Sequence, residues 1–207
     1  MLVVNLGQMI AKHRSKIVVA LWALLSTSLG LGCSKAANTP SATAVSATSQ
    51  AVSSSSIKVG QNAPAGSLIS SNGDQIELSN AWQDKTAIIV FFRGNWCPHC
   101  QKQLGELQNK IEEFNGYNAN ILAISTDSKD AELFREQGIN VPMATDPKQE
   151  VAQLFGVADP KNGVSSPATF VVDKAGLVKY SHVGATKSDT PILEEVSMVV
   201  KELHSQN

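Results

Sequence analysis

From Ile57 onward the apolar residues switch between two periods, short unbroken runs that suit covered strands and three-to-four-residue stripes that suit helices. Ala87-Ile88-Ile89-Val90-Phe91-Phe92 is continuous, β-branched and aromatic, the pattern of a strand covered on both faces of a mostly parallel sheet. Leu104, Leu107, Ile111 and Phe114 then recur at helical spacing, which predicts one amphipathic helix over about residues 98–114. Residues 120–125 read as a second buried strand, and Thr126-Asp127-Ser128 offers caps for a helix to about Gln137 with Leu133 and Phe134 inward. In Asp146-Pro147-Lys148-Gln149 an Asp cap, a Pro at the first position and a Gln three after the cap predict another helix start, followed by the stripe Val151, Leu154, Phe155. Residues 169–173 and 176–181 form two strands joined by the turn Asp173-Lys174-Ala175-Gly176. Thr190-Pro191 opens a last helix carrying Ile192, Val196, Val199, Val200 and Leu203. The order β-α-β-α-α-β-β-α predicts an α/β fold with a central mixed sheet and helices on both faces.

The first third of the chain has a different texture. Lys12, Arg14 and Lys16 precede an apolar stretch over residues 17–25, and small residues lead to Gly30-Leu31-Gly32-Cys33. A basic segment, an apolar segment and a small-residue end make a secretory signal over residues 1–32. The apolar stretch is shorter than the ~20 residues a membrane-spanning helix needs. Its end resembles the lipobox of bacterial lipoproteins, with Leu29 and Leu31 upstream and Gly30 where Leu is commonest. That resemblance implies lipidation of Cys33, and Ser34 after it resembles the signal for sorting to the outer membrane of Gram-negative cells. An ordinary signal peptide, or an uncleaved anchor with an incidental Cys33, is the alternative. Residues 33–56 are mostly Ser, Ala and Thr without periodicity, a tether that as a random coil spans on the order of 25 Å.

Residues 57–207 remain for one domain with a real core. Among 207 residues the formal net charge is -1, which gives no electrostatic basis for a nucleic-acid partner.

Chemistry concentrates where the first buried strand meets its helix, in Cys97-Pro98-His99-Cys100. Pro98 suits the first helical position, so Cys97 sits at or next to the N-cap. Unpaired N–H groups and the positive end of the helix dipole favour thiolate there, which predicts Cys97 as the exposed, low-pKa nucleophile. Cys100 lies one turn later on the same face, directed to the protein side, and can resolve a mixed disulfide. Haem attachment requires a His directly after the second Cys, where this chain has Gln101. Structural zinc requires two further ligands, and Cys33, His13, His182 and His204 are scattered.

With these residues placed, the domain resembles the thioredoxin-like redoxin family, which joins peroxiredoxins with extracytoplasmic thiol-disulfide oxidoreductases. The resemblance runs from about Lys58 to Leu203. Its marks are Val59-Gly60-Gln61-Asn62-Ala63-Pro64, Gly73-Asp74 with Leu78-Ser79 in an N-terminal hairpin, Trp96-Cys97-Pro98-His99-Cys100, residues 141–147, Phe155-Gly156-Val157, and residues 165–173. It implies that Pro167 is a cis-proline facing the dithiol and that the backbone of Ser166 pairs with a bound peptide. Peroxiredoxins place a Pro and a Thr or Ser seven and three residues before the attacking Cys, where this chain has Val90 and Gly94, and the only arginine after Cys97 is Arg135. Arg93, just before the site, is the nearest cation able to stabilise a thiolate or a peroxide oxygen. Residues 87–92 contain no counterpart of the buried carboxylate that many thioredoxins carry below the dithiol. His99 within the motif resembles strongly oxidising periplasmic enzymes, since an imidazolium beside Cys97 stabilises the reduced form.

The expected activity is thiol-disulfide exchange with extracytoplasmic protein thiols and an unidentified redox partner, with Cys97 attacking, Cys100 resolving, and no metal or organic cofactor. A thiol peroxidase using Cys97 as the peroxidatic and Cys100 as the resolving sulfur is one alternative. A peptide-binding module without catalysis is the other.

Overall fold

The computed structural model describes residues 55–206, so the expected signal, Cys33 and nearly all of the tether lie outside the described residues. An N-terminal hairpin, β1 (Ser67–Ser70) and β2 (Gln75–Glu77), leads through a short 3-10 turn to the long strand β3 (Thr86–Phe91). Helices α1 (Pro98–Asn109) and α2 (Ile111–Gly116) follow, then β4 (Ala119–Ser125), α3 (Asp130–Glu136), β5 (Met143–Thr145) and α4 (Glu150–Leu154). A small pair, β6 (Ala158–Asp159) and β7 (Val164–Ser165), precedes β8 (Ala168–Val172), β9 (Val178–Val183) and α5 (Leu193–Ser205).

Seven strands form one sheet in the order β2-β1-β5-β4-β3-β8-β9. The central pairs β3–β4 and β4–β5 are parallel, and β1–β5, β3–β8 and β8–β9 are antiparallel, which makes the sheet mixed as the element order predicts. All six residues of β3 are buried. Because side chains alternate along a strand, Ile88 and Val90 join one core and Ala87, Ile89 and Phe91 the other. The first core takes Leu104 and Leu107 of α1, Phe114 of α2, Phe134 of α3 and Val196, Val200 and Leu203 of α5. The second holds Phe91 against Phe155 and Phe170 at ring distances of 5.1 and 6.1 Å. Helices therefore cover both faces, and the strand that ends at the dithiol is buried throughout.

The domain is stitched in from its first described residues. Ile57 N–H donates to Phe155 O at 3.2 Å and its carbonyl accepts from Ser181 Oγ at 2.8 Å. Gly156 beside it, at φ +69, passes so close that a Cβ would lie 2.7 Å from the Ser55 carbonyl oxygen.

Several elements depart from the sequence expectation. The single helix expected over residues 98–114 breaks at Lys110, where the N–H closes a tighter turn on Leu107 O at 3.1 Å and φ and ψ leave the helical region at -103° and 3°. The chain restarts as α2, which delivers Phe114 to the core. The helix expected to follow Asp127 begins only at Asp130, because Asp127 Oδ1 accepts the Lys129 N–H at 2.9 Å and holds a turn first. Leu133 is only half-buried, while Phe134 is buried. Asp146 does cap α4, but from outside a turn that includes Pro147: its two oxygens accept the N–H groups of Glu150 and Ala152 at 2.9 and 2.8 Å. Gln149 makes no reciprocal bond; it stands at φ 57° and its side chain accepts the Asp159 N–H. Leu154, the last residue of α4, and Ile192, which precedes α5 as its N-cap, are both expected inward and are 39% and 61% exposed.

Candidate active site

Strand β3 gives out at Phe91, and the next N–H, of Phe92, still pairs with Ile124 O at 3.0 Å. A turn then delivers Cys97, whose N–H donates to Gly94 O at 3.2 Å. Cys97 is the N-cap of α1 with extended backbone, Pro98 is its first residue, and Gln101 N–H closes the first helical turn on Cys97 O at 3.0 Å. This is the strand-to-helix junction that the sequence predicts. Both cysteines are free thiols.

The exposure expected of Cys97 is corrected by the structure. Cys97 and Cys100 are each 2% exposed and belong to the same core as Phe92. The turn through Asn95 and Trp96 puts the Trp96 side chain outward, 58% exposed, and leaves Cys97 inward at the start of the helix. Pro98 and His99 face solvent. His99 makes no hydrogen bond among the described residues.

Burial, joined by the hydrogen bond with Cys97, pushes the Cys100 thiol up from 9.0 to about 12. The second sulfur is thus held as a protonated thiol until the first has reacted. Alkylation of Cys100 in the reduced chain should therefore rise about tenfold per pH unit from pH 8 to about pH 11, measured by peptide mass spectrometry; a plateau near pH 9 would contradict the assignment. The linkage has a definite sign. Since the folded value lies above the unfolded one, the stability from this group is complete below about pH 9 and is lost as pH climbs towards about 12.

Gly94 stands at φ +151, a conformation close to glycine-only, and a Cβ there would lie 2.5 Å from Trp96 Nε1. The indole occupies the space where a Thr or Ser side chain would stand. Arg93 lays its guanidinium over the same ring, 4.9 Å from the centroid, and has no carboxylate partner among the described residues. Val90 is buried within β3, opposite Thr169.

One residue beyond the Phe91–Ala168 pair, the register places Pro167 across from Phe92, at the dithiol end of the sheet. Pro167 is buried and its carbonyl accepts the Gly184 N–H at 2.8 Å. The N–H of Ser166 donates to Val157 O at 2.7 Å, so that half of the expected peptide-pairing site is already occupied within the chain. Arg135, by contrast, is an exposed residue of α3.

Two buried polar side chains near the junction escaped the sequence. Gln103 on α1 is 4% exposed and donates through Nε2 to Thr169 Oγ1 at 3.3 Å. Asp130, at the start of α3, is 2% exposed and accepts the Asn95 N–H on Oδ1 at 2.9 Å. Burial raises its carboxyl above the usual range, and the bond from Asn95 works against that rise. In sequence Asp130 is one more acidic residue in the first turn of a helix, and no periodicity distinguishes it.

Comparison with known proteins bears on the family and the fold. The AhpC/TSA family profile matches residues 59–181. An alkyl hydroperoxide reductase E of Mycobacterium bovis is 28% identical over 131 residues, covering 61% of this chain and 86% of that relative. A putative peroxiredoxin of Synechocystis is 23% identical over 163 residues, covering 73% and 81%. Among solved structures, AhpC of Mycobacterium tuberculosis superposes with a TM-score of 0.61 at 24% identity, over 74% of this chain and 96% of that one. The fold is therefore thioredoxin-like.

Proposed function

The chain belongs to the AhpC/TSA family of redoxins, thiol-dependent oxidoreductases, and within it we propose a thiol-disulfide oxidoreductase that works through the Cys97/Cys100 pair. The observation that carries this reading is the pairing itself: two reduced sulfurs one helical turn apart at a helix N-cap, the second held protonated by burial and by the first. Cys97 sulfur attacks a substrate disulfide, forming one mixed disulfide and releasing one substrate thiol. Cys100 then loses its proton, attacks Cys97 sulfur and closes the internal disulfide as the second substrate thiol leaves. Two electrons pass to the substrate, and the reverse sequence oxidises a substrate dithiol. Once Cys97 is in the mixed disulfide its own contribution to the rise at Cys100 is gone, so the resolving sulfur ionises more readily than before, with burial still opposing it.

Disulfide exchange is favoured over peroxide chemistry by Gly94 and Val90, which supply no hydroxyl and no proline at the positions of the peroxide cradle. A second reading, peroxide reduction, is favoured by the burial of Cys97, which a small oxidant reaches more readily than a protein disulfide does, and by the names of the relatives. There Cys97 would break the O–O bond, becoming a sulfenic acid as an alcohol or water leaves, and Cys100 would condense with it and release water. We assign the protein to the cell envelope, lipid-anchored at Cys33 and probing extracytoplasmic thiols from a tether, with a redox partner that restores its oxidation state.

The two readings separate in one experiment on the reduced full chain. Insulin-disulfide reduction is expected to proceed at least about tenfold faster than hydrogen peroxide consumption at equal enzyme. Fast peroxide loss without insulin reduction would install the peroxidase reading instead. Neither activity, with peptide binding intact after both cysteines are replaced by Ser, would point to a module without catalysis.

A further inference from the structure

Cys97 faces the core although Trp96, Pro98 and His99 around it all face solvent. The turn that turns it inward closes on a single long backbone bond, Cys97 N–H to Gly94 O at 3.2 Å. One such bond is a weak closure at the edge of a domain. Asn95, in the middle of that turn, is gripped from both sides. Its N–H donates to Asp130 Oδ1 at 2.9 Å, and its carbonyl accepts from Gln101 Nε2 at 2.6 Å. The grip joins the turn to α3 and to α1 at once.

Asp130 is an expensive residue to place there. It is 2% exposed, and its second oxygen, Oδ2, is buried without a hydrogen bond of full geometry, the Ser125 hydroxyl being the other group that steadies the carboxylate. A half-satisfied buried carboxyl opposes folding, so a role for its satisfied half is called for. We propose that Asp130 is the positioning residue of the dithiol: through Asn95 it holds the Gly94–Cys97 turn shut and thereby keeps the Cys97 sulfur turned into the core. A protonated Asp and an Asn have the same shape and both keep an acceptor at Oδ1. Asn should therefore preserve the grip, and Ala should release it.

The inference assumes that Cys97 is the attacking sulfur, but its readout needs no substrate, so it can fail while the proposed function stands, and the reverse. The full chain, reduced, is treated with iodoacetamide as wild type, Asp130→Asn and Asp130→Ala, and alkylation at Cys97 and Cys100 is followed separately by peptide mass spectrometry. Asp130→Ala is expected to speed Cys97 alkylation at least about tenfold with Cys100 changing less than about threefold, and Asp130→Asn to stay within about threefold of wild type at both. Rescue by Asn and selectivity for one sulfur are outcomes that general loosening of the fold does not give. A wild-type rate at Cys97 in Asp130→Ala overturns the proposal, as does an equal rise at both sulfurs or an Asn variant that behaves like Ala. Should Asp130→Ala fail to fold, Gln101→Ala, which removes the other half of the grip from a half-buried position, decides in the same way: at least about threefold at Cys97 alone supports the proposal, and no change or an equal rise at both sulfurs overturns it.

Discussion

Replacing Cys97 with Ser should abolish turnover, by at least about 10⁴-fold, while leaving the domain folded. The loss is this large because no other sulfur in the described domain can take over the first step. Cys100 is 2% exposed, and burial, the largest of the causes that raise its thiol, stays in place in the variant. Without the Cys97 thiol the rise is smaller, but burial by itself still favours the protonated thiol of Cys100 over the thiolate at pH 8. The fold should tolerate the change, because the Cys97 sulfur makes no capping hydrogen bond to the backbone of α1 and a Ser hydroxyl is a better N-cap than a thiol. The check is steady-state insulin reduction beside a far-ultraviolet circular dichroism spectrum. Residual activity within tenfold of wild type would remove Cys97 from the mechanism altogether.

Replacing Cys100 with Ser should separate the two halves of the cycle. The first step survives, so a single equivalent of substrate disulfide is still attacked and a mixed disulfide to Cys97 accumulates. Multiple turnover should fall by about 10³-fold, because release then depends on an external thiol reaching a sulfur that the turn keeps inward. Non-reducing mass spectrometry of the variant after incubation with substrate would show the adduct on Cys97. If turnover persisted without an adduct, Cys100 would not be the resolving sulfur. In cells, the same variant would capture its natural substrates for identification, which addresses the direction of electron flow. The two variants differ in kind: one removes the attack, and the other arrests it halfway.

Much of the fold was legible because its signals are local. The run from Ala87 to Phe92 is apolar at every position, and only a strand covered on both sides accepts that, which is what β3 is. Pro98 marked the start of α1 because a residue without an N–H fits only where that donor has no helical partner. The hairpin of β8 and β9 followed from the turn at Asp173, whose Oδ1 accepts the N–H groups of Ala175 and Leu177 at 2.9 Å each, a contact contained within five residues. Helix lengths were less legible. Periodicity over residues 98–114 continues through the break at Lys110, since a tightened turn changes backbone angles without disturbing the apolar spacing on either side.

The strand, the helix, the junction between them and the two sulfurs at its start were determined by the sequence alone, because each depends on neighbours a few residues away. Which way those sulfurs face was not. Cys97 is inward because its turn is gripped from Asp130, 35 residues beyond Asn95 along the chain, and because Trp96 takes the outward place over Gly94. A buried carboxylate reads in sequence like any surface acid, since only the packing of a distant helix removes its water. Reactivity at the pair is therefore a property of the assembled core, and the spacing of the cysteines fixes only where that reactivity can be placed.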